Sequence, residues 1–146
     1  MLESIDHVGI AVLDLEAAIE SYTVLTGRGP AQRSAVERDG VEVAMFELGG
    51  SRIELLAATR PDSAISRFLD RRGGGLHHVA YRVSDVQAAL DHYNAIGLRL
   101  LDRAPRPGAG GRLVAFLHPD AGHGVLTELC ALAARGEAAT GPGRVT

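Results

Sequence analysis

Two stretches of the chain carry the same pattern of apolar and polar positions. Residues 5 to 25 read IDHVGIAVLDLEAAIESYTVL, and residues 76 to 96 read LHHVAYRVSDVQAALDHYNAI. Each opens on a short run that alternates apolar and polar side chains around a histidine, His7 or His78, which predicts a strand. An aspartate then starts a helix. Asp14 is placed to cap a stripe of Leu15, Ala18, Ile19 and Tyr22, and Asp85 one of Val86, Ala89, Leu90 and Tyr93, the i, i+3, i+4, i+7 spacing of one helix face. Gly27 and Gly97 are the expected stops. Further strands are predicted at Val41–Leu48 and Arg52–Ala57, joined by a Gly49-Gly50 hairpin turn, and at Leu98–Asp102, Leu113–His118 and Val125–Leu129.

The likeness is a repeat of constant offset. His7 matches His78, Val12 matches Val83 and Tyr22 matches Tyr93, each 71 residues apart, while Glu54 and Glu128 match at 74 because the last turn, His118 to Gly124, is longer. Duplication is the simple account of such self-similarity. Each half reads as β-α-β-β-β, so the predicted fold is α+β, with two tandem modules forming a curled mixed sheet. The expected division is 1–72 for the first module with a linking helix from Pro61-Asp62-Ser63, 73–131 for the second, and 132–146 for a small, polar, frayed tail. The two modules make one functional domain.

Composition narrows the chemistry. The 146 residues are 46% apolar and 23% charged, with a net charge of −3, which suits a packed domain and not a nucleic-acid surface. All the cations are Arg; without Lys there is neither Schiff-base chemistry nor a Lys phosphate loop. Cys130 is alone, which excludes an internal disulfide or a cysteine zinc site. The acidic start and the lack of a long apolar run predict a soluble, cytoplasmic protein.

The repeat places a His on the first strand and a Glu on the last strand of each module. A curled pair of modules would gather His7, Glu54, His78 and Glu128 in one cavity, a set that suits a divalent first-row cation with positions left for water or substrate. Glu54 and Glu128 have apolar neighbours, and a buried carboxylate without a partner is costly. His77 is expected on the opposite face of its strand from His78, as core or as support. His92 reads as a surface residue; His118 and His123 sit in the turn before the last strand, within reach of a substrate, with an exposed turn the simpler account of His123.

With those residues in place, the chain resembles the vicinal oxygen chelate superfamily. Within it, DHVGIAVLDLEAAI, LGGSRIELL, PDSAISRFLDRRGGGLHHVAYRVSDV and PRPGAGGRLVAFLHPDAGHGVLTEL are similar to the methylmalonyl-CoA epimerases, over about residues 5 to 130. The resemblance implies metal-dependent interconversion of (R)- and (S)-methylmalonyl-CoA through an enolate. It implies Glu128 as both ligand and catalytic acid–base group. It also implies a divalent ion (Co2+ first, with Mn2+, Zn2+ or Ni2+ as alternatives) and a homodimer. Some family members carry a second acid–base Glu on the strand that matches Val41–Leu48, at the position of Val43; Glu42, one residue away, is a substitute only if a bulge shifts the register. For the coenzyme A arm the expected contacts are Ser63, Gly110, Gly111 and Arg112.

Three other readings share the fold. A glyoxalase I-type lactoylglutathione lyase would use the same ligand types. An extradiol dioxygenase would use two His and one carboxylate, one ligand fewer. A metal-free ligand-binding module of the resistance type need not keep all four.

Overall fold

The computed structural model describes residues 1–133. In chain order the elements are β1 (Ser4–Ala11), α1 (Leu15–Thr26), β2 (Gln32–Val36), β3 (Val41–Leu48), β4 (Ser51–Ala58), α2 (Ala64–Arg72), β5 (Gly75–Arg82), α3 (Val86–Ala95), β6 (Arg106–Pro107), β7 (Arg112–Leu117) and β8 (Leu126–Leu132). All eight strands join one sheet in the order β2-β3-β4-β1-β5-β8-β7-β6. β1 pairs parallel with β4, β5 pairs parallel with β8, and β1 and β5 meet antiparallel at the centre. The halves of the repeat are thus the halves of a single curled sheet.

Local chemistry sets the helices. The Asp14 carboxylate accepts from the Ala17 N–H at 3.0 Å, Asp85 from Ala88 at 3.0 Å, and the Ser63 hydroxyl from Ser66 at 3.0 Å, each satisfying a donor that the first turn leaves open. Gly27 ends α1 in the left-handed region at φ 74°. α1 packs Leu15 against Ala44, Phe46 and Leu55; α3 packs Val86, Ala89 and Leu90 against Ala115, Leu117 and Leu129. These clusters cover the convex face. On the concave face, α2 sets Ile65, Phe68 and Leu69 against Val41, Val43 and Leu56.

Three expectations shift. Leu98–Asp102 is not a strand: it makes one isolated bridge, Leu100 to Leu117, and the module's second strand is Arg106–Pro107. Asp102 explains this, because its carboxylate accepts the Phe116 N–H at 2.8 Å, a donor that a neighbouring strand carbonyl would otherwise take. β2, Gln32–Val36, has no apolar alternation and was not located from the sequence. β8 runs past Leu129, with Ala131 pairing Leu113 and Leu132 pairing Arg112, so Leu132, the first residue of the expected frayed tail, belongs to the sheet. The rest of that tail, 134–146, lies outside the described residues.

Candidate functional site

His7, Glu54, His78 and Glu128 stand on the four central strands and are all buried. Nε2 of His7 is 3.2 Å from Nε2 of His78. Glu54 Oε1 lies 3.8 Å from His7 Nε2 and 3.6 Å from His78 Nε2. Glu128 Oε1 is 3.7 Å from His7 Nε2, and its Oε2 is 3.2 Å from His78 Nε2. Donors bound to one first-row cation at about 2.1 Å sit roughly 3.0 to 3.4 Å apart. His7, Glu54 and His78 therefore already stand close to a ligand arrangement, with Glu128 against both imidazoles, and the donor types suit a divalent ion.

Backbone irregularities build this cluster. The β1–β5 register slips at two places, leaving Asp6 and His77 without a facing partner. These are the residues just before each site histidine, and the repeat matches them to one another. Each bulge brings the side chain beside its histidine. Asp6 Oδ2 is 2.8 Å from His7 Nδ1, and His77 Nδ1 is 2.8 Å from His78 Nδ1. At His7 the Asp6 carboxylate can only accept, so Nδ1 donates and Nε2 keeps its lone pair, the tautomer a metal ligand requires; His78 takes the same tautomer when His77 Nδ1 is the acceptor. Gly9 pairs with both Glu54 and His78, and the His78 ring lies directly over it: a Cβ there would be 2.1 Å from Cε1.

Behind His7 is a buried ionic cage. Asp6 is fully buried and is bonded by Arg52, by Arg82 Nη2 at 3.0 Å and by Arg112 Nη1 at 2.8 Å. Burial alone would raise its pKa, but hydrogen bonds from His7, Arg52 and Arg82 outweigh burial and hold the carboxyl well below the usual carboxylate range. On the other side of His7 the order is reversed. Burial pushes Glu54 up; burial, then the neighbouring Glu54 charge, pushes Glu128 well up. Burial lowers His77 to about 4 and, with the charges of His7 and His77, lowers His78. Two carboxyls that resist ionisation, beside a His78 imidazole that resists protonation, suit a bound cation, which lets both carboxylates ionise.

Glu54, His78 and Glu128 of the cluster line a cavity of about 320 Å³, and His7 lies behind them. Val41, Val43 and Leu56 line one limb; Val114, Phe116 and Glu128 line the other; Ser63, Ile65 and His77 lie under α2. The seam between the two sheet edges is closed by Arg106, whose Nη1 is 2.6 Å from Asp39 Oδ1 and whose Nε is 3.2 Å from Asp102 Oδ2. Arg38, Arg60 and Arg67 stand at the exposed rim.

Several expected contacts are placed differently. Arg112 does not line this cavity, because its guanidinium is spent on Asp6 and approaches Cys130 Sγ at 3.6 Å. Gly110 and Gly111 do not line it either; Gly108 and Ala109 do, and Gly110 is turned against Gln32 of β2. Ser63 does line it, while also capping α2. Glu42 is exposed outside the cavity, and Val43 faces in, since β3 runs without a bulge and alternation keeps them on opposite faces. His77 faces the cavity and not the far side, through its bulge. Sequence reasoning missed Asp6 and Arg106; the matched place of Asp6 before its histidine was the available signal for the former. His92, His118 and His123 line no part of the cavity.

A family model described as the glyoxalase/bleomycin resistance protein/dioxygenase superfamily matches residues 6–116. The chain is 39% identical to the ethylmalonyl-CoA/methylmalonyl-CoA epimerase of Cereibacter sphaeroides, over 88% of this chain and 98% of that protein. It is 36% identical to the human mitochondrial methylmalonyl-CoA epimerase, over 88% of this chain and 73% of that one. A Streptomyces coelicolor methylmalonyl-CoA epimerase variant, solved with 2-nitronate-propionyl-CoA, matches with a TM-score of 0.87 at 41% identity, covering 92% of this chain and 97% of that one.

Proposed function

The chain belongs to the methylmalonyl-CoA epimerase branch of the glyoxalase/bleomycin resistance protein/dioxygenase superfamily, and from that premise we propose that it interconverts (R)- and (S)-methylmalonyl-CoA by moving the C2 proton. The observation that carries the reading is the convergence of Glu54, His78 and Glu128 in the wall of a cavity of about 320 Å³, with His7 against them. These four residues would hold a divalent ion, cobalt being the one to load first. When bound, the ion supplies Lewis-acid stabilisation of the oxygen that gains charge as C2 loses its proton.

The chain's own groups supply the rest. Asp6 and His77 orient the two imidazoles through Nδ1. Glu128, on the second limb, takes the C2 proton at a carboxylate oxygen in one direction of the reaction and supplies it in the other. Inversion needs a second proton on the opposite face, and because Val43 occupies the β3 wall we assign that transfer to Glu54, which faces Glu128 across the imidazoles. Val41, Val43 and Leu56 exclude water and receive the alkyl substituent. The rim guanidiniums of Arg38, Arg60 and Arg67 are suited to the phosphates of coenzyme A, in place of Arg112. A homodimer fits the exposed Val24 and Leu25 on α1, and an acyl-CoA substrate suits the cytoplasm. Among the described residues no helix is long and apolar enough to cross a membrane.

The test is hydrogen exchange at C2. Protein stripped of metal and reloaded with cobalt is incubated with methylmalonyl-CoA in deuterated water and followed by NMR. Deuterium entry that depends on metal and is accompanied by inversion is the expected result. A loaded site without exchange would overturn the assignment.

A further inference from the structure

His7 and His78 hold matched places in the repeat, yet their Nδ1 partners differ in kind. His78 has the imidazole of His77, which burial keeps neutral. His7 has the carboxylate of Asp6, but not to itself. Arg52 bonds Oδ2, the same oxygen that faces His7 Nδ1. Arg82 Nη2 at 3.0 Å and Arg112 Nη1 at 2.8 Å share Oδ1. Four donors thus divide one carboxylate, and three guanidiniums against a single Asp6 leave a surplus of positive charge behind His7. Charge pairing alone does not explain this arrangement, because one guanidinium would neutralise Asp6. Arg52 is moreover buried with an Nε that has no partner among the described residues, a costly state for a charged donor.

We propose that Arg52, Arg82 and Arg112 are positioning residues that tune the bound ion through Asp6, keeping it less tightly held and more strongly charged toward substrate oxygen; this rests on the metal-centre and acyl-CoA reading above. A carboxylate given wholly to a ligating histidine raises the basicity of the imidazole, which tightens the metal and draws off its charge. Divided among three guanidiniums, Asp6 donates less to His7. His78 has only a neutral partner, so neither imidazole is backed by a full carboxylate. The surplus positive charge works in the same direction, since it opposes a second cation nearby. None of the three arginines lines the cavity, so they act through Asp6 and through space and not by touching substrate.

The sign of the effect separates tuning from scaffolding. A tie that only holds His7 in place would weaken metal binding when cut, whereas charge sharing predicts tighter binding. Metal-free wild-type protein, R82Q, R82K and R112Q are titrated calorimetrically with cobalt, in the pH range where wild-type affinity has stopped rising and protons on Glu54 and Glu128 no longer compete. Arg82 is 45% exposed and screened by water, so R82Q keeps the fold and should bind cobalt about threefold more tightly. Arg112 is 15% exposed, and R112Q should gain about tenfold even as its thermal stability falls. R82K keeps the charge and should retain the wild-type affinity. At saturating cobalt, R82Q and R112Q should exchange the C2 hydrogen of methylmalonyl-CoA more slowly than wild type. Cobalt affinity that falls or stays unchanged in R82Q overturns the proposal, whether or not R112Q folds, as does tighter binding with undiminished exchange. Wild-type protein that binds cobalt but exchanges no C2 hydrogen would instead overturn the acyl-CoA reading, and the cobalt affinities alone would then decide the role of the arginines.

Discussion

The Gly9 position offers the sharpest structural test of how the centre is assembled. Its backbone is ordinary extended strand, so alanine is conformationally allowed there. The obstacle is space: an added Cβ would lie 2.1, 2.3 and 2.5 Å from Cε1, Nδ1 and Nε2 of His78, where non-bonded carbon atoms rest at about 3.5 to 4.0 Å. The ring would have to retreat by more than about 1 Å to reach that spacing. It cannot do so freely, since it is buried, bonded at Nδ1 to His77 and packed against Phe116. Overpacking of this kind costs about 1 to 3 kcal/mol, a fall in Tm of roughly 2 to 10 °C for a domain of this size. Ligand positions tolerate only about 0.2 Å, so G9A should also weaken cobalt binding at least tenfold. Thermal unfolding and calorimetric cobalt titration read both effects. The same substitution made in an H78A background should be neutral or slightly stabilising, because the clash is gone and the unfolded chain loses freedom. If G9A costs as much without the ring as with it, steric seating of His78 on Gly9 is refuted.

Other outcomes follow from the same geometry. E128Q should abolish C2 exchange while the protein stays folded; near-normal deuterium uptake would remove Glu128 from the chemistry. Because Glu54 and Glu128 hold protons more tightly than ordinary carboxylates, cobalt must displace those protons, so its affinity should fall as pH is lowered toward 5. Titrations in buffers of different ionisation enthalpy should show net proton release, and a pH-independent affinity would contradict the raised values. R112Q should lower stability by a few kcal/mol, by removing one partner of the buried Asp6 charge, and leave the Michaelis constant for the acyl-CoA nearly unchanged; a raised constant in a stable protein would return Arg112 to the substrate.

The repeat made much of this molecule legible from residues alone. Spacing of 71 between His7 and His78, and the matched Glu54 and Glu128, were enough to expect a shared cavity, because sequence-equivalent positions in two like modules become symmetry-equivalent places in one sheet. Cap residues Asp14, Ser63 and Asp85 were readable because capping is a local hydrogen bond between near neighbours. The bulges were not. Asp6 and His77 sit in strands whose alternation predicts outward or opposite faces, and only the pairing of β1 with β5 creates the slip that turns them toward their histidines. Leu98–Asp102 failed as a strand because a side-chain carboxylate from the same segment took the N–H of Phe116, a contact that no local pattern announces.

What the chain determined by itself was the set of elements, their duplication and the donor types, all of which depend on periodicity and on chemistry within a few residues. What only the tertiary structure decided was direction. It sent Arg112 behind the sheet to Asp6, put Arg106 in the cavity wall, left Glu42 outside and made Val43 the lining. A side chain's partner across a curled sheet is set by register and twist, summed over strands distant in sequence, and those sums exist only once the sheet has closed.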